Sequence, residues 1–422
     1  MHSVTNAIPT GTIASIPAKA HAHRALICAA LANSPSTILL SRTSKDIDAT
    51  MDSLRGLGAH VVYENKIVTV TPGPAPAKGN VVPHESGTTL RLLLPVAASI
   101  CNDVDVDAKG RLPDRPLEPM LGEMKAHGVI FSQDKPPFTM TGRLQGGNFS
   151  MVGDVSSQFF SGLLLAAPQI GLSTITSTTP LQSSDYVTLT TETMRDFGVE
   201  VEHTLPDTNI NEAFTVPFGA SFIGRDNYQI EGDWSNAAIW MVAAGMTGKP
   251  ITITGMNKNS VQADRRIMQV MIDAGCDVVW DGMNVTVTGR ASKPIHADLE
   301  QMPDMLPVMA ALACSISGES SFIKGARLRL KESDRLIAVA NLVRDLGGTV
   351  REEGDDLYII GSGILKGGHG DCVNDHRLVM AGTLMALISE NPVTLQDSEA
   401  ITKSYPHFFE DWNLLGGNAQ PV

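Results

Sequence analysis

The residues most able to do chemistry lie in the C-terminal half, where carboxylates stand among cations. In GARLRLKESDRLIAVANLV, Lys331, Glu332, Asp334 and Arg335 directly precede a helix expected from Leu336. A carboxylate between cations can be tuned as a general base by those neighbours. The plainer alternative is a solvated helix start, where Glu332 or Asp334 only complements the helix dipole. Upstream, QMPDMLPVMAALA puts Asp304 at the head of an apolar helix, where capping is the ordinary reading. Downstream, NDHRLVMAGTLMAL brings Asp375, His376 and Arg377 to another helix start, and EAITKSYPHFFEDW holds Lys403 in a loop before Pro406.

The N-terminal half carries groups suited to anions rather than to proton transfer. In IPAKAHAHRALICAALA, Lys19 and Arg24 stand at the start of an apolar helix expected over Ala25 to Leu31. Free N–H groups and a partial positive charge at that end attract an anion, and cations placed there need one. An exposed basic turn is the alternative. HESGTTLRLLLP places Ser86, Gly87, Thr88 and Thr89 ahead of a helix carrying Arg91, a loop suited to phosphate or carboxylate. Serine and threonine there are also ordinary N-caps. GRLPDRPLEPM sets Arg111 and Arg115 in a proline-punctuated loop, and DVSSQFFSGLLLAAP sets Ser156, Ser157 and Gln158 before a third apolar helix.

The elements that must position these groups repeat. A helix-like run ends in an apolar pair and a glycine at Gly58, Gly128, Gly198, Gly275, Gly347 and Gly416, spaced 70, 70, 77, 72 and 69 residues apart. In MDSLRGLGAHV, Met51, Leu54 and Leu57 share one helical face. Gly58 then falls where a helix stops with its next residue at positive φ. After the first five glycines comes a β-rich stretch, such as CDVVWDGMNVTVTG. The period is too long for a solenoid and predicts six βαβαββ-like subdomains, three in each of two domains.

Composition fits a large enzyme. Hydrophobic residues make up 43% and charged residues 18% of 422, enough for substantial cores. No run of eighteen apolar residues suggests a membrane span, and MHSVTNAIPTGTIASIP lacks the order of a signal peptide. Five scattered cysteines without CxxC spacing point to reduced thiols of a cytoplasmic protein rather than disulfides or a metal site. A net charge of −13 argues against broad nucleic-acid binding.

Taken in order, the motifs KAHAHRAL, ESGTTLRLLLP, GRLPDRPLEPM, SSQFFSGLLLAAP, EGDWSNAA, KESDRL, DHRLVMA and TKSYPHFF resemble the 5-enolpyruvylshikimate-3-phosphate synthase family. The resemblance runs from about Gly11 to Gly417. It implies an α/β fold of two inside-out α/β barrel domains, each of three βαβαββ-like subdomains. The expected domains are 1–13 with 228–422, and 14–227, with the active site in the cleft between them. Two adjacent crossovers would form a hinge for closure around charged ligands. The sibling family acting on UDP-amino sugars shares this fold but carries a reactive loop cysteine, for which no match stands near Arg115.

The resemblance further implies transfer of an enolpyruvyl group from phosphoenolpyruvate to the 5-hydroxyl of shikimate 3-phosphate, with loss of phosphate. No metal or organic cofactor and no macromolecular partner is expected, and the family is generally monomeric. Lys19, Ala20, Arg24, Ser156, Ser157, Gln158, Ser183, Tyr186, Asp304 and Lys331 would hold shikimate 3-phosphate. Lys19, Gly87, Arg115, Gln158, Arg335, Arg377 and Lys403 would surround phosphoenolpyruvate. Lys19, Asp304 and Glu332 would be catalytic, with Asp304 near the 5-hydroxyl and Glu332 near the methylene carbon.

Two positions depart from the family pattern. Lys19 is followed by Ala20 rather than serine, which removes a hydroxyl and about 1.5–3 kcal/mol of binding to a charged group. His84 replaces a small glycine before the phosphoenolpyruvate loop. Ala20 keeps open a carboxyvinyl transferase for another hydroxylated acceptor. A non-catalytic anion-binding relative would have no need of the acidic pair Asp304 and Glu332.

Overall fold

A computed structural model of the chain describes residues 1–207 and 211–422. The six phrase-ending glycines sit at φ between +87° and +104°, each following the C-cap of a helix. This is the left-handed region where a Cβ would clash, so the repeat read from sequence is a repeat of helix stops.

Around these stops, the strands of the described residues form six four-stranded sheets with one order. In one of them, Gly79–Val81 and Asp103–Val106 run parallel, joined through the helix Gly87–Ile100. The helix Met120–Ala126 then leads into the antiparallel strands Ile130–Phe131 and Phe138–Thr141, the second of which pairs with Asp103–Val106. The parallel pair needs a helical crossover and the antiparallel pair only a short turn, which gives βαβαββ.

Three sheets are completed by strands distant in sequence. Gly11–Ala14 lies parallel to Ile251–Thr254, and Tyr228–Gln229 lies parallel to part of Ser36–Leu39. His2–Val4 fills the gap between Val393–Gln396 and Ala419–Pro421, which supplies the sixth copy with the strand its own sequence lacks.

Two compact units result, Met1–Ile16 with Glu231–Val422, and Pro17–Ile230. In the second, the helices Gly87–Ile100 and Ser157–Ile170 are buried without interruption over Thr89 to Ser99 and Phe159 to Ala167. In the first, the same holds for Asn236 to Met246 and for His376 to Ala386. A helix apolar on all sides belongs inside. The strands alternate instead, as in Ser173–Ser177 and Asp277–Asp281, so each sheet keeps one face toward solvent. Each unit is therefore helices within and sheets without.

Close packing of these helices fixes polar groups at their starts. A Cβ at Gly162 would stand 2.5 Å from the Arg91 carbonyl oxygen, so only glycine lets these two helices approach so closely. That approach brings Arg91 to Gln158, as described below. Among the described residues no helix is long and apolar enough to cross a membrane.

Candidate active site

In the unit containing Glu231–Val422, the expected site residues converge on Arg335. It is the first residue of the helix Arg335–Asp345 and is only 1% exposed. Its Nε donates to Asp375 Oδ2 at 3.0 Å, its Nη1 to Asp304 Oδ1 at 2.7 Å and its Nη2 to Glu332 Oε2 at 2.6 Å. Burial works against the guanidinium charge, but Asp375, Glu332 and Asp304 outweigh it and push its pKa up. Asp375 is fully buried and also accepts from Ser333 Oγ and from the Arg377 backbone N–H, as N-cap of the helix His376–Ala386.

Asp304 is not the helix cap that its position suggested. It lies in a 3-10 turn, Pro303–Met305, ahead of the helix Leu306–Cys314, and its side chain turns to cations instead. Besides Arg335, it meets Lys331 Nζ at 3.1 Å and Arg377 Nη2 at 3.3 Å. Burial works to raise its carboxyl, yet Lys331, Arg377 and Arg335 together hold it well below the usual carboxylate range. Lys331 is pulled below its ordinary value, first by burial and against the attraction of Asp304. Asp334 caps its helix through the Ile337 N–H, as a helix-start acid should.

Lys403 ends a 3-10 turn, Ser398–Lys403, rather than lying in an irregular loop, and its Nζ donates to the Asn374 carbonyl at 2.7 Å. Val373 and Asn374 both have positive φ, at 42° and 55°. The strained turn that presents Asp375 and Arg377 is thus tied to Lys403.

Asp264, which no motif singled out, belongs to this cluster. It is 1% exposed and accepts from the Ser235 hydroxyl. Burial first, and then the nearby Asp304 charge, raise its carboxyl to about 6, with Arg377 opposing. Lys331, Arg335 and Arg377 thus surround Asp304, Glu332 and Asp375, and cations of these types suit phosphate and carboxylate groups.

In the Pro17–Ile230 unit the helix begins at Lys19 and not near Ala25, because His21 to Arg24 are buried and continue its packing. Lys19 Nζ pairs with Asp46 Oδ2 at 2.7 Å. Asp46 sits in the first turn of the helix Lys45–Gly56, whose cap is Ser44. No sequence motif singled it out. Arg24 is 1% exposed and donates to Thr190, Ser161 and the carbonyls of Ala20 and Tyr186. It thereby ties the helix start at Ala20 to the helix Asp185–Asp196.

Gly87 begins the helix Gly87–Ile100 and lies against Arg115, since a Cβ there would stand 2.5 Å from Arg115 Nη1. Arg115 closes a 3-10 turn, Leu112–Asp114, in the proline-rich segment. Gln158 is held at both ends of its amide, with Nε2 donating to Thr88 at 2.9 Å and Oε1 accepting from Arg91 at 3.1 Å. Ser156 is the N-cap of the helix Ser157–Ile170 and accepts from the Gln158 N–H, so the capping reading holds for it, while Ser157 is buried beside it. Ser183 is buried at φ 53°, and Tyr186 lies in the first turn of the next helix.

The chain matches the model of the EPSP synthase (3-phosphoshikimate 1-carboxyvinyltransferase) family over residues 7–412. It is 36% identical to a 3-phosphoshikimate 1-carboxyvinyltransferase of Clostridium kluyveri, covering 96% of this chain and 95% of that one. It is 34% identical to the protein of that name from Methanocorpusculum labreanum, covering 97% of each. A solved EPSP synthase structure from Acinetobacter baumannii shares the fold, with a TM-score of 0.81 at 23% identity over 100% of this chain and 99% of that one. With the six-fold repeat and both sets of charged residues in place, the chain belongs to the EPSP synthase (3-phosphoshikimate 1-carboxyvinyltransferase) family.

Proposed function

We propose that this chain transfers the enolpyruvyl group of phosphoenolpyruvate to the 5-hydroxyl of shikimate 3-phosphate, releasing phosphate, in the shikimate pathway to chorismate. The observation that carries this reading is the junction of Asp304 and Glu332 on one buried arginine, Arg335. Two carboxylates held by a common cation but facing different neighbours can divide acid and base roles.

In the addition step the 5-hydroxyl oxygen bonds to C2, Asp304 takes the hydroxyl proton and a proton is delivered to C3 from Glu332. C3 becomes a methyl group. In the elimination step the C2–O bond to phosphate breaks, the departing phosphate takes the proton held by Asp304, C3 returns one proton to Glu332, and the double bond re-forms as the enolpyruvyl ether. Asp304 is a weak base while Lys331, Arg377 and Arg335 all neutralise it. Bound phosphate and carboxylate groups would compete for those cations and raise its basicity. Arginines suit this task because the guanidinium meets carboxylate and phosphate in a bidentate way.

Lys19, Arg115 and Gln158 are proposed to serve the same two substrates, with Gly87 admitting phosphoenolpyruvate to the Arg115 guanidinium. Ser156, Ser157, Ser183 and Tyr186 are assigned to shikimate 3-phosphate. Arg24, tied to four internal partners, would act mainly by holding the Ala20 turn. Ala20 offers no hydroxyl and supports the second reading, a different hydroxylated acceptor.

Running the reaction in D2O tests the addition–elimination route. The transient methyl group predicts deuterium in the product methylene by NMR; a product free of deuterium at C3 would overturn it.

A further inference from the structure

We propose that Ser86 is a further phosphoenolpyruvate-binding residue, its hydroxyl proton aimed at the anion by a buried hydrogen-bond chain running His23–Thr50–Thr89–Ser86. The inference rests on the function proposed above and adds a recognition group and its positioning residues.

The four side chains are nearly sealed from solvent: His23, Thr50 and Thr89 are 0% exposed and Ser86 is 2% exposed. They come from three helices, Lys19–Ala30, Lys45–Gly56 and Gly87–Ile100, the last with Ser86 as its cap. His23 Nδ1 lies 2.6 Å from Thr50 Oγ1, Thr50 Oγ1 2.7 Å from Thr89 Oγ1, and Thr89 Oγ1 2.8 Å from Ser86 Oγ. The second ring nitrogen of His23, Nε2, is buried and has no hydrogen-bond partner among the described residues.

That unpartnered nitrogen sets the direction of the chain. Orphaned buried N–H groups are rarer than under-used acceptors, so the ring proton belongs on Nδ1. Burial, with Lys19 and Arg24 nearby, keeps the ring neutral. His23 then donates to Thr50, and Thr50 to Thr89. The Thr89 proton has two acceptors in reach, Ser86 Oγ at 2.8 Å and the Asp46 carbonyl at 3.3 Å. The carbonyl is farther and already serves the N–H four residues on in its own helix.

Ser86 Oγ therefore receives the Thr89 hydroxyl and, as N-cap, the Thr89 backbone N–H at 3.2 Å. With both lone pairs engaged, Ser86 has only its own proton to offer. No acceptor for that proton is found among the described residues. The next residue is Gly87, whose missing side chain lets the Arg115 guanidinium lie against this turn. An anion beside Arg115 would complete the chain, and each bond polarises the next toward it.

The test is the KM for phosphoenolpyruvate from steady-state phosphate release at saturating shikimate 3-phosphate, or its calorimetric affinity where there is no turnover, in wild type, Ser86→Ala, Thr50→Val and Thr50→Ser. Ser86→Ala should bind about ten-fold more weakly or worse. Thr50→Val, which cuts the chain without touching ligand, should weaken binding by about three-fold or more, and Thr50→Ser should restore it. Shikimate 3-phosphate affinity should stay at the wild-type value throughout, which reports an intact fold. Wild-type affinity in Ser86→Ala, or equal losses in Thr50→Val and Thr50→Ser, would overturn the proposal. Ser86-dependent binding without any turnover by wild type would sink the catalytic reading and leave this one standing.

Discussion

Arg335 Nε stands 3.0 Å from Asp375 Oδ2, with the arginine 1% exposed and the aspartate fully buried. This pair differs from the contacts of Arg335 with Asp304 and Glu332, whose side chains are about one-fifth exposed. Asp375 is thus the structural anchor, and the other two carboxylates are the ones that solvent or substrate can reach. Removing one partner of a buried pair leaves an uncompensated charge and costs about 3–5 kcal/mol. Asp375→Ala should lose that much in urea unfolding and should also weaken phosphoenolpyruvate binding. A variant as stable as wild type would show that Asp304 and Glu332 suffice to hold Arg335.

Gly87→Ala puts a methyl group within 2.5 Å of Arg115 Nη1 and 2.8 Å of Cζ. The obstacle is the far end of a flexible side chain, so the fold should survive and the guanidinium should shift. Steady-state kinetics should show KM for phosphoenolpyruvate raised about ten-fold or less with kcat little changed. A competitor bulkier than phosphoenolpyruvate, such as glyphosate, should lose more. Equal inhibition constants in the two proteins would refute the close approach.

Asp264 predicts a pH-dependent stability. Its folded pKa of about 6 lies above the usual 3.8, because burial and then Asp304 disfavour its charge. Its contribution is therefore fully present below the unfolded value and is lost as pH rises through about 6. Asp264→Asn keeps an acceptor for Ser235 and removes the charge. Its stability relative to wild type should rise between pH 4 and pH 7, by an amount on the order of 2–3 kcal/mol. Urea unfolding at several pH values checks this, and a flat difference would contradict it.

Glu332→Gln keeps an oxygen for Arg335 Nη2 and removes a group able to exchange protons with C3. We expect kcat to fall by about 10²–10⁴ while shikimate 3-phosphate binding is retained. Single-turnover kinetics with calorimetry separates the two effects. A variant with wild-type kcat would remove Glu332 from proton transfer.

The helix stops were legible because the φ of +87° to +104° that follows these six helices strongly favours glycine, and the glycines recur. The strands that complete three of the sheets were not. Tyr228–Gln229 is two residues long and pairs with residues near position 38, so no local pattern reveals it. His2–Val4 likewise gains meaning only beside Val393–Gln396 and Ala419–Pro421. At the site, KESDRL and DHR announced charge, but not that Asp304, distant in sequence, accepts from both. Asp46 and Asp264 escaped notice because a lone acid at a helix start is ordinary, and their partners lie 27 and 29 residues away. The identity of charged residues was readable; their pairing depended on packing.

The most direct test of the central claim is phosphate release from phosphoenolpyruvate by purified wild-type protein, with and without shikimate 3-phosphate. The account predicts catalytic release that requires shikimate 3-phosphate. Release of equal rate without it, or none with both substrates present and bound, would contradict enolpyruvyl transfer to this acceptor.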